Sequence, residues 1–136
     1  MQYSTPNLFA QEVQRVRIDL ETPLGHTRQL LLGFTQDNSA TDGFDYGYDA
    51  EVFVDFPDDF NWIIEEGRYV IQSVGAFDNS KIYPIGVFLT NSGEIRMRLT
   101  SLENFEHEID VFIFDAYSNT YHKFNEDILE FNMISG

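Results

Sequence analysis

The stretch Arg15-Val16-Arg17-Ile18-Asp19-Leu20 alternates charged and apolar residues position by position. Successive side chains of a β-strand point to opposite faces, so this pattern predicts a strand with one buried face and one solvated face. The same period of two returns at Leu30, Leu32 and Phe34, beyond the turn-forming sequence Thr22-Pro23-Leu24-Gly25. The two segments predict a pair of strands joined by a tight turn.

Further strand-like segments follow at intervals of about ten to fifteen residues, and helical spacing is almost absent. Residues 84–90 and 94–100 flank the short glycine-containing loop Asn91-Ser92-Gly93, which predicts a β-hairpin. Residues 109–115 are apolar on both faces, which predicts a central strand covered on each side. The pattern predicts one all-β domain over residues 1–136, a single antiparallel β-sandwich, immunoglobulin-like or jelly-roll-like, with about seven to nine strands.

The alternation also predicts which side chains form the core of this sandwich. They are Val16, Ile18, Leu20, Leu30, Leu32, Ile71, Ile95, Met97, Leu99, Val111 and Ile113.

Composition excludes several classes of partner. The 136 residues include 8 basic and 23 acidic side chains, a formal net charge of −15, so nucleic acid and anionic membrane surfaces would repel the chain. No segment approaches the roughly 20 apolar residues of a membrane helix, so no membrane insertion is predicted. Residues 1–25 lack the pattern of a signal peptide. Cysteine is absent, which excludes disulfides and thiolate metal sites.

One loop resembles a built site. In Asp37-Asn38-Ser39-Ala40-Thr41-Asp42-Gly43-Phe44-Asp45-Tyr46-Gly47-Tyr48-Asp49, four carboxylates and two glycines lie between apolar segments. Calcium prefers carboxylate and carbonyl oxygens, with glycine where the backbone turns sharply. The loop therefore predicts a calcium site at Asp37, Asp42, Asp45 and Asp49, although a flexible connection rich in turn formers has the same composition. Phe44, Tyr46 and Tyr48 are either anchors for the loop or contacts for a sugar or a protein partner.

No group of residues in the sequence has the pattern of a catalytic site. His26, His107 and His122 lie on separate segments without the spacing of zinc ligands. No serine occupies a glycine-flanked elbow. Two carboxylates would suffice for glycosidase chemistry, but nothing singles out a pair. We therefore predict a non-enzymatic protein. Arg15 and Arg17 share one strand face, as do Arg96 and Arg98, and we predict that they pair with acidic side chains on neighbouring strands.

The order of several short motifs resembles a β-sandwich module of surface and secreted proteins from Bacteroidetes. The motifs are Gln29-Leu30-Leu31-Leu32-Gly33-Phe34, Thr41-Asp42-Gly43-Phe44-Asp45-Tyr46-Gly47-Tyr48-Asp49, Val70-Ile71-Gln72, Ile82-Tyr83-Pro84-Ile85-Gly86-Val87, Phe114-Asp115, Tyr121-His122-Lys123-Phe124 and Leu129-Glu130-Phe131. Together they span about residues 14 to 132. The individual motifs are loose, and their order carries the resemblance.

This resemblance implies a non-catalytic module of the kind that precedes type IX secretion sorting domains in adhesins and cell-surface enzymes. The resemblance includes the acidic loop, without establishing a metal there; the matching residues are Asp42, Gly43, Asp45, Gly47 and Asp49. The sequence departs from the family in ending before an expected arginine-phenylalanine strand, and in having no export signal or sorting domain. A copy of the module without these parts suggests a virion protein of a phage that infects Bacteroidetes.

Two functional interpretations follow. The first is a structural or adhesion module in a surface assembly, either a virion protein (capsid decoration, tail or fibre) or a bacterial cell-surface module, with protein partners or self-association. The second is an accessory carbohydrate- or calcium-binding domain of a larger type IX-secreted enzyme or adhesin. The predicted location is the virion surface or the cell exterior, and calcium is the one cofactor predicted.

Overall fold

The computed structural model describes residues 13–52 and 56–135. All regular secondary structure in these residues is β-strand, which confirms the all-β prediction. No helix in this part of the chain is long and apolar enough to cross a membrane. The strands are β1 (Gln14–Glu21), β2 (Thr27–Phe34), β3 (Ala50–Glu51), β4 (Asp59–Ile64), β5 (Gly67–Val74), β6 (Ile85–Phe88), β7 (Gly93–Glu103), β8 (Phe112–Asp115), β9 (Thr120–Lys123) and β10 (Leu129–Met133).

The main sheet has the order β10-β7-β1-β2-β5-β4-β6, and β3 pairs with β5 beside it. Its neighbours are antiparallel except β2 and β5, which run parallel from Leu31 opposite Ile71 to Phe34 opposite Val74. The prediction of antiparallel pairing throughout is therefore wrong at this pair, and the sheet is mixed. A parallel pair needs a long crossover, and here the chain between β2 and β5 includes the acidic loop, β3 and β4.

The predicted first pair of strands is confirmed. β1 and β2 pair from Gln14 opposite Phe34 to Glu21 opposite Thr27, and Val16, Ile18 and Leu20 are buried. In the turn, the Thr22 hydroxyl accepts a hydrogen bond from the backbone N–H of His26 at 3.0 Å. Gly25 has φ +92°, a conformation that costs glycine little.

The predicted hairpin between residues 84–90 and 94–100 is wrong. β6 pairs with β4 at one edge of the sheet, whereas β7 pairs with β1 and β10 near the other edge. The five chain steps from Phe88 to Gly93 reach at most about 18 Å. In a flat sheet the five strand spacings between β6 and β7 would measure about 24 Å. The main sheet must therefore curl until its two edges approach each other.

Asp58 secures this connection. Asp58 Oδ1 accepts hydrogen bonds from the backbone N–H groups of Thr90 at 2.7 Å and Asn91 at 2.9 Å, and its Oδ2 accepts one from the Asn91 side chain at 2.9 Å. These bonds, led by the Asn91 side chain, hold the pKa of Asp58 below its usual value. Asp58, the residue directly before β4, thus holds the β6–β7 connection.

Asp59 is fully buried and forms an ion pair inside the fold. Its carboxylate accepts hydrogen bonds from Arg28 Nε and Nη2, both at 2.8 Å, and from the backbone N–H groups of Phe60 at 2.8 Å and Phe56 at 3.2 Å. Arg68 Nη2 lies 3.6 Å away. Burial alone would raise the pKa of Asp59, but the bonds from Arg28 and the backbone outweigh it, so the pKa is lowered.

The core lies inside the curl of the main sheet. Of the predicted core residues, seven are buried, and Ile71, Leu99, Val111 and Ile113 are only partly buried. Val70 and Ile71 are both apolar, so alternation does not assign the buried face of β5 uniquely, and the buried positions are Tyr69, Gln72 and Val74. The sequence prediction also omitted several core residues: Phe34, Ala40, Phe60, Trp62, Ile64, Tyr69, Val74 and Phe124.

The second sheet consists of β8 and β9 alone. The expected central strand over residues 109–115 is therefore wrong: within the described residues β8 pairs only with β9, and Phe112 is exposed. Val111 and Ile113 pack against the core from this small sheet. The alternation at Val52, Val54 and Phe56 predicts a further strand, which falls largely on residues 53–55. These residues and residues 1–12 lie outside the described residues.

A candidate contact loop

The acidic loop, residues 37–49, connects β2 to β3 and is folded by its own hydrogen bonds. The Asp45 carboxylate accepts bonds from the Thr41 backbone N–H at 2.6 Å and from the Thr41 hydroxyl at 3.0 Å. The Asp45 carbonyl accepts bonds from the N–H groups of Tyr48 and Asp49, both at 3.1 Å. Gly47 completes this turn with φ +86°. Asp45 therefore organises the loop from within.

Asp49 ties the acidic loop to the main sheet. Its Oδ1 accepts a hydrogen bond from the Ser73 N–H on β5 at 2.7 Å, and its Oδ2 accepts one from the Asp45 N–H at 2.8 Å. The Ser73 hydroxyl donates to the Tyr48 carbonyl at 3.1 Å. Burial raises the pKa of Asp49 despite these bonds. The end of the loop is thus fixed to a central strand.

The other two carboxylates have separate partners. Asp37 accepts a hydrogen bond from the Ser39 N–H at 3.0 Å, and bonds from Ser39, led by its hydroxyl, lower the pKa of Asp37. Asp42 forms an ion pair with Lys81 at 2.5 Å. In residues 13–52 and 56–135, no three histidine, aspartate or glutamate side chains are arranged to hold a metal ion. The structure brings Asp45 and Asp49 together but gives Asp37 and Asp42 other partners.

The three aromatic side chains of the acidic loop differ in exposure. Tyr46 is 92% exposed, whereas Phe44 and Tyr48 are 44% and 42% exposed. The Phe44 ring lies 5.6 Å from the Tyr69 ring, measured between centroids, so Phe44 anchors the loop on β5. Tyr46 is held outward by a structured backbone and is available for contact.

Glu65 is a residue of this site that the sequence analysis missed. Its Oε2 accepts a hydrogen bond from the Phe44 N–H at 2.9 Å, which joins the β4–β5 turn to the acidic loop. Glu65 and Glu66 both have left-handed backbone conformations, with φ +49° and +71°. Such strain persists where surrounding structure enforces it, often at functional sites. Glu66-Gly67 indicates a turn at this point, but the Glu65-Glu66 pair lacks the asparagine and glycine typical of left-handed turn positions. Nothing in the sequence indicated that Glu65 would bind the acidic loop.

The remaining sequence candidates lie elsewhere. His26 is in the β1–β2 turn, and the His122 ring packs 5.1 Å from the Phe131 ring. The predicted charge pairing is confirmed for Arg17, which contacts Glu103 at 2.6 Å, and for Arg96, which contacts acidic side chains on three strands. These arginines serve cross-strand pairing on the outer face of the sheet.

Comparison with known proteins identifies the family. A family model described as "Domain of unknown function (DUF8693)" matches residues 2–136, so the chain belongs to that family. No curated protein matches the chain. No solved structure matches it either. The resemblance to modules that precede type IX sorting domains stays a prediction.

Proposed function

We propose that the chain is a non-enzymatic module of a surface assembly, and that the acidic loop is its contact with a protein partner. One observation carries this proposal. The loop is folded before any partner arrives, because Asp45, Asp49 and Glu65 hold its backbone while Tyr46 projects outward. A preformed loop loses little conformational entropy on binding, and exposed tyrosine is enriched in binding contacts.

The charge of the loop defines the partner further. Asp37, Asp45 and Asp49 are carboxylates of the loop, Glu65 adjoins it, and the whole chain carries a net charge of −15. A partner surface with lysine or arginine would be attracted to such a loop, whereas nucleic acid would be repelled. The proposed setting is a virion, as a capsid decoration, tail or fibre protein, or a bacterial cell surface. We include in this proposal a relationship to immunoglobulin-like or jelly-roll-like sandwiches, which the all-β secondary structure of the described residues supports.

Site-specific photocrosslinking tests the proposal. A photoreactive phenylalanine analogue replaces Tyr46 in one variant and Tyr117, a fully exposed residue of the β8–β9 turn, in a matched control. We expect position 46 to crosslink one structural protein of the native virion or envelope through a basic peptide, and position 117 not to do so. Equal crosslinking at both positions, or none at position 46, would contradict the proposal. A crosslink between two copies would identify self-association.

A second candidate function is an accessory carbohydrate-binding domain. The observation that favours it is the exposed Tyr46 ring, since aromatic faces serve as stacking platforms for sugars. Binding of the wild type and of Tyr46→Ala to immobilised glycans separates the candidates. Retention of a glycan by the wild type and its loss in Tyr46→Ala would favour carbohydrate binding over a protein partner.

A further inference from the structure

The curled main sheet encloses a cavity that the acidic loop does not share. Its volume is about 740 Å³, within the range of about 300–1,000 Å³ typical of small-molecule sites. Ile18, Trp62 and Met97 line it from the concave face of the sheet, and residues 77–85 and 109–117 line it from other sides. The cavity is thus bounded by the main sheet, the second sheet and the connections between them.

The walls of this cavity are mainly apolar and reach the surface at one region. Ile82, Tyr117 and Tyr121 line the cavity and are themselves exposed, so solvent and ligand can enter beside the second sheet. Apolar side chains that face an unfilled space lack packing partners on that side. A ligand with an apolar body would supply those contacts.

The charged groups of the lining select against anions. They are Asp78, Lys81, Asp110 and Asp115. Lys81 is held in the ion pair with Asp42 and Asp110 in one with Lys123, so Asp78 and Asp115 supply the excess negative charge. Hydrogen bonds from Ser80 and from Ser118 lower the pKa values of Asp78 and Asp115, respectively, so both stay ionised near neutral pH. A negatively charged head group would therefore meet carboxylates of its own sign.

Tyr83 adds one neutral polar group. Burial, followed by the negative charges of Asp42 and Asp78, raises the pKa of Tyr83 to about 12. The phenol therefore keeps its proton at neutral pH and can donate or accept a hydrogen bond. An apolar cavity with a few convergent polar groups is the usual form of a small-molecule site.

We propose that this cavity binds a small amphiphile with an apolar body and an uncharged or positively charged head. The carboxylates of Asp78 and Asp115 set the sign of the charge, and the curled sheet receives the body. This function is independent of the acidic loop, so either proposal can fail without the other.

Two fluorescent probes with the same aromatic body test the proposal. N-phenyl-1-naphthylamine is uncharged, and 8-anilino-1-naphthalenesulfonate carries a sulfonate. We expect the uncharged probe to bind and the sulfonate to bind about tenfold or more weakly, because like charges near a protein surface repel strongly. Trp62 is the only tryptophan and lines the cavity, so its excitation should produce probe emission by energy transfer.

Space-filling variants locate the binding. Val87→Phe on β6 and Val111→Phe before β8 each add volume to a different wall, and Leu24→Phe in the exposed β1–β2 turn is the control. We expect a loss of at least about tenfold in affinity for either cavity variant that retains the wild-type circular dichroism spectrum, and no change for the control.

Any of the following results would overturn the proposal. They are absence of binding to the folded wild type, equal affinity for both probes, binding by both folded cavity variants at the wild-type level, and binding without energy transfer from Trp62. Loss of probe binding as protein concentration rises would also overturn it, because a second copy would then be the occupant.

Discussion

Replacement of Asp59 by alanine should be among the most destabilising single changes to this fold. The carboxylate is fully buried on β4, it accepts two charge-assisted hydrogen bonds from Arg28 at 2.8 Å, and it accepts bonds from two backbone N–H groups. Truncation removes the acceptor of all four bonds. Removing one partner of a buried ion pair costs about 3–5 kcal/mol. A domain has about 5–15 kcal/mol in total, so Asp59→Ala should remain folded only in low denaturant.

Urea unfolding followed by Trp62 emission measures this cost, since Trp62 lies on the same strand. The matched control is Asp110→Ala, which removes an exposed pair with Lys123 at 3.4 Å and should cost no more than about 1 kcal/mol. Asp59→Asn should fall between the two, because the amide oxygen still accepts a hydrogen bond while the charge is lost. Equal midpoints for Asp59→Ala and Asp110→Ala, with unchanged denaturant slopes, would refute the reasoning.

Three further predictions concern pH, backbone strain and calcium. The lowered pKa values of Asp58 and Asp59 contribute stability that is fully present above the ordinary value of 3.8 and is lost as pH falls through the folded-state values. The urea midpoint should therefore drop as pH falls below about 4, and it should drop less in Asp59→Asn. A flat profile would contradict this. Glu66→Gly should raise stability by up to about 1 kcal/mol in thermal unfolding, because left-handed backbone costs an L-residue about 1–2 kcal/mol; a loss would show that the Glu66 side chain matters more. If the acidic loop binds calcium, a hundredfold excess of calcium over Kd stabilises the fold by about 2.7 kcal/mol. This stabilisation should be smaller in Asp45→Asn and unchanged in Asp110→Asn. Identical thermal midpoints in calcium and in chelator, with no calorimetric binding heat, would show that the loop is an ordinary turn.

The sequence determined which segments of this protein are strands and, where apolar residues alternate, which face is buried. Val16, Ile18 and Leu20 are buried as predicted, and so are Ile95 and Met97. The reason is local: side-chain direction alternates along any extended backbone, so alternate apolar residues fix the buried face. Where two adjacent residues are both apolar, as Val70 and Ile71 are on β5, the same rule is ambiguous, and Ile71, which it placed in the core, is only partly buried.

The sequence also showed the composition of the acidic loop but not its arrangement. Four carboxylates within one loop are visible in the chain, and their spacing suggested a common ligand. The partners that fold the loop include Ser73, Glu65 and Lys81, which lie on distant segments. A sequence pattern cannot specify which donor reaches a carboxylate when that donor arrives through a tertiary contact.

Beyond the β1–β2 pair, strand pairing was decided only by the tertiary structure. Asn91-Ser92-Gly93 has the composition of a hairpin loop, yet Asp58 binds the backbone of Thr90 and Asn91, and β6 and β7 pair with other strands. β2 likewise pairs in parallel with β5, and β8 and β9 form a separate sheet, because each strand can pair with several others and only the folded chain decides which. Local patterns determine that a segment is extended, whereas its neighbour is chosen by the burial and hydrogen bonding of the whole chain, and here that choice curls the sheet around a cavity.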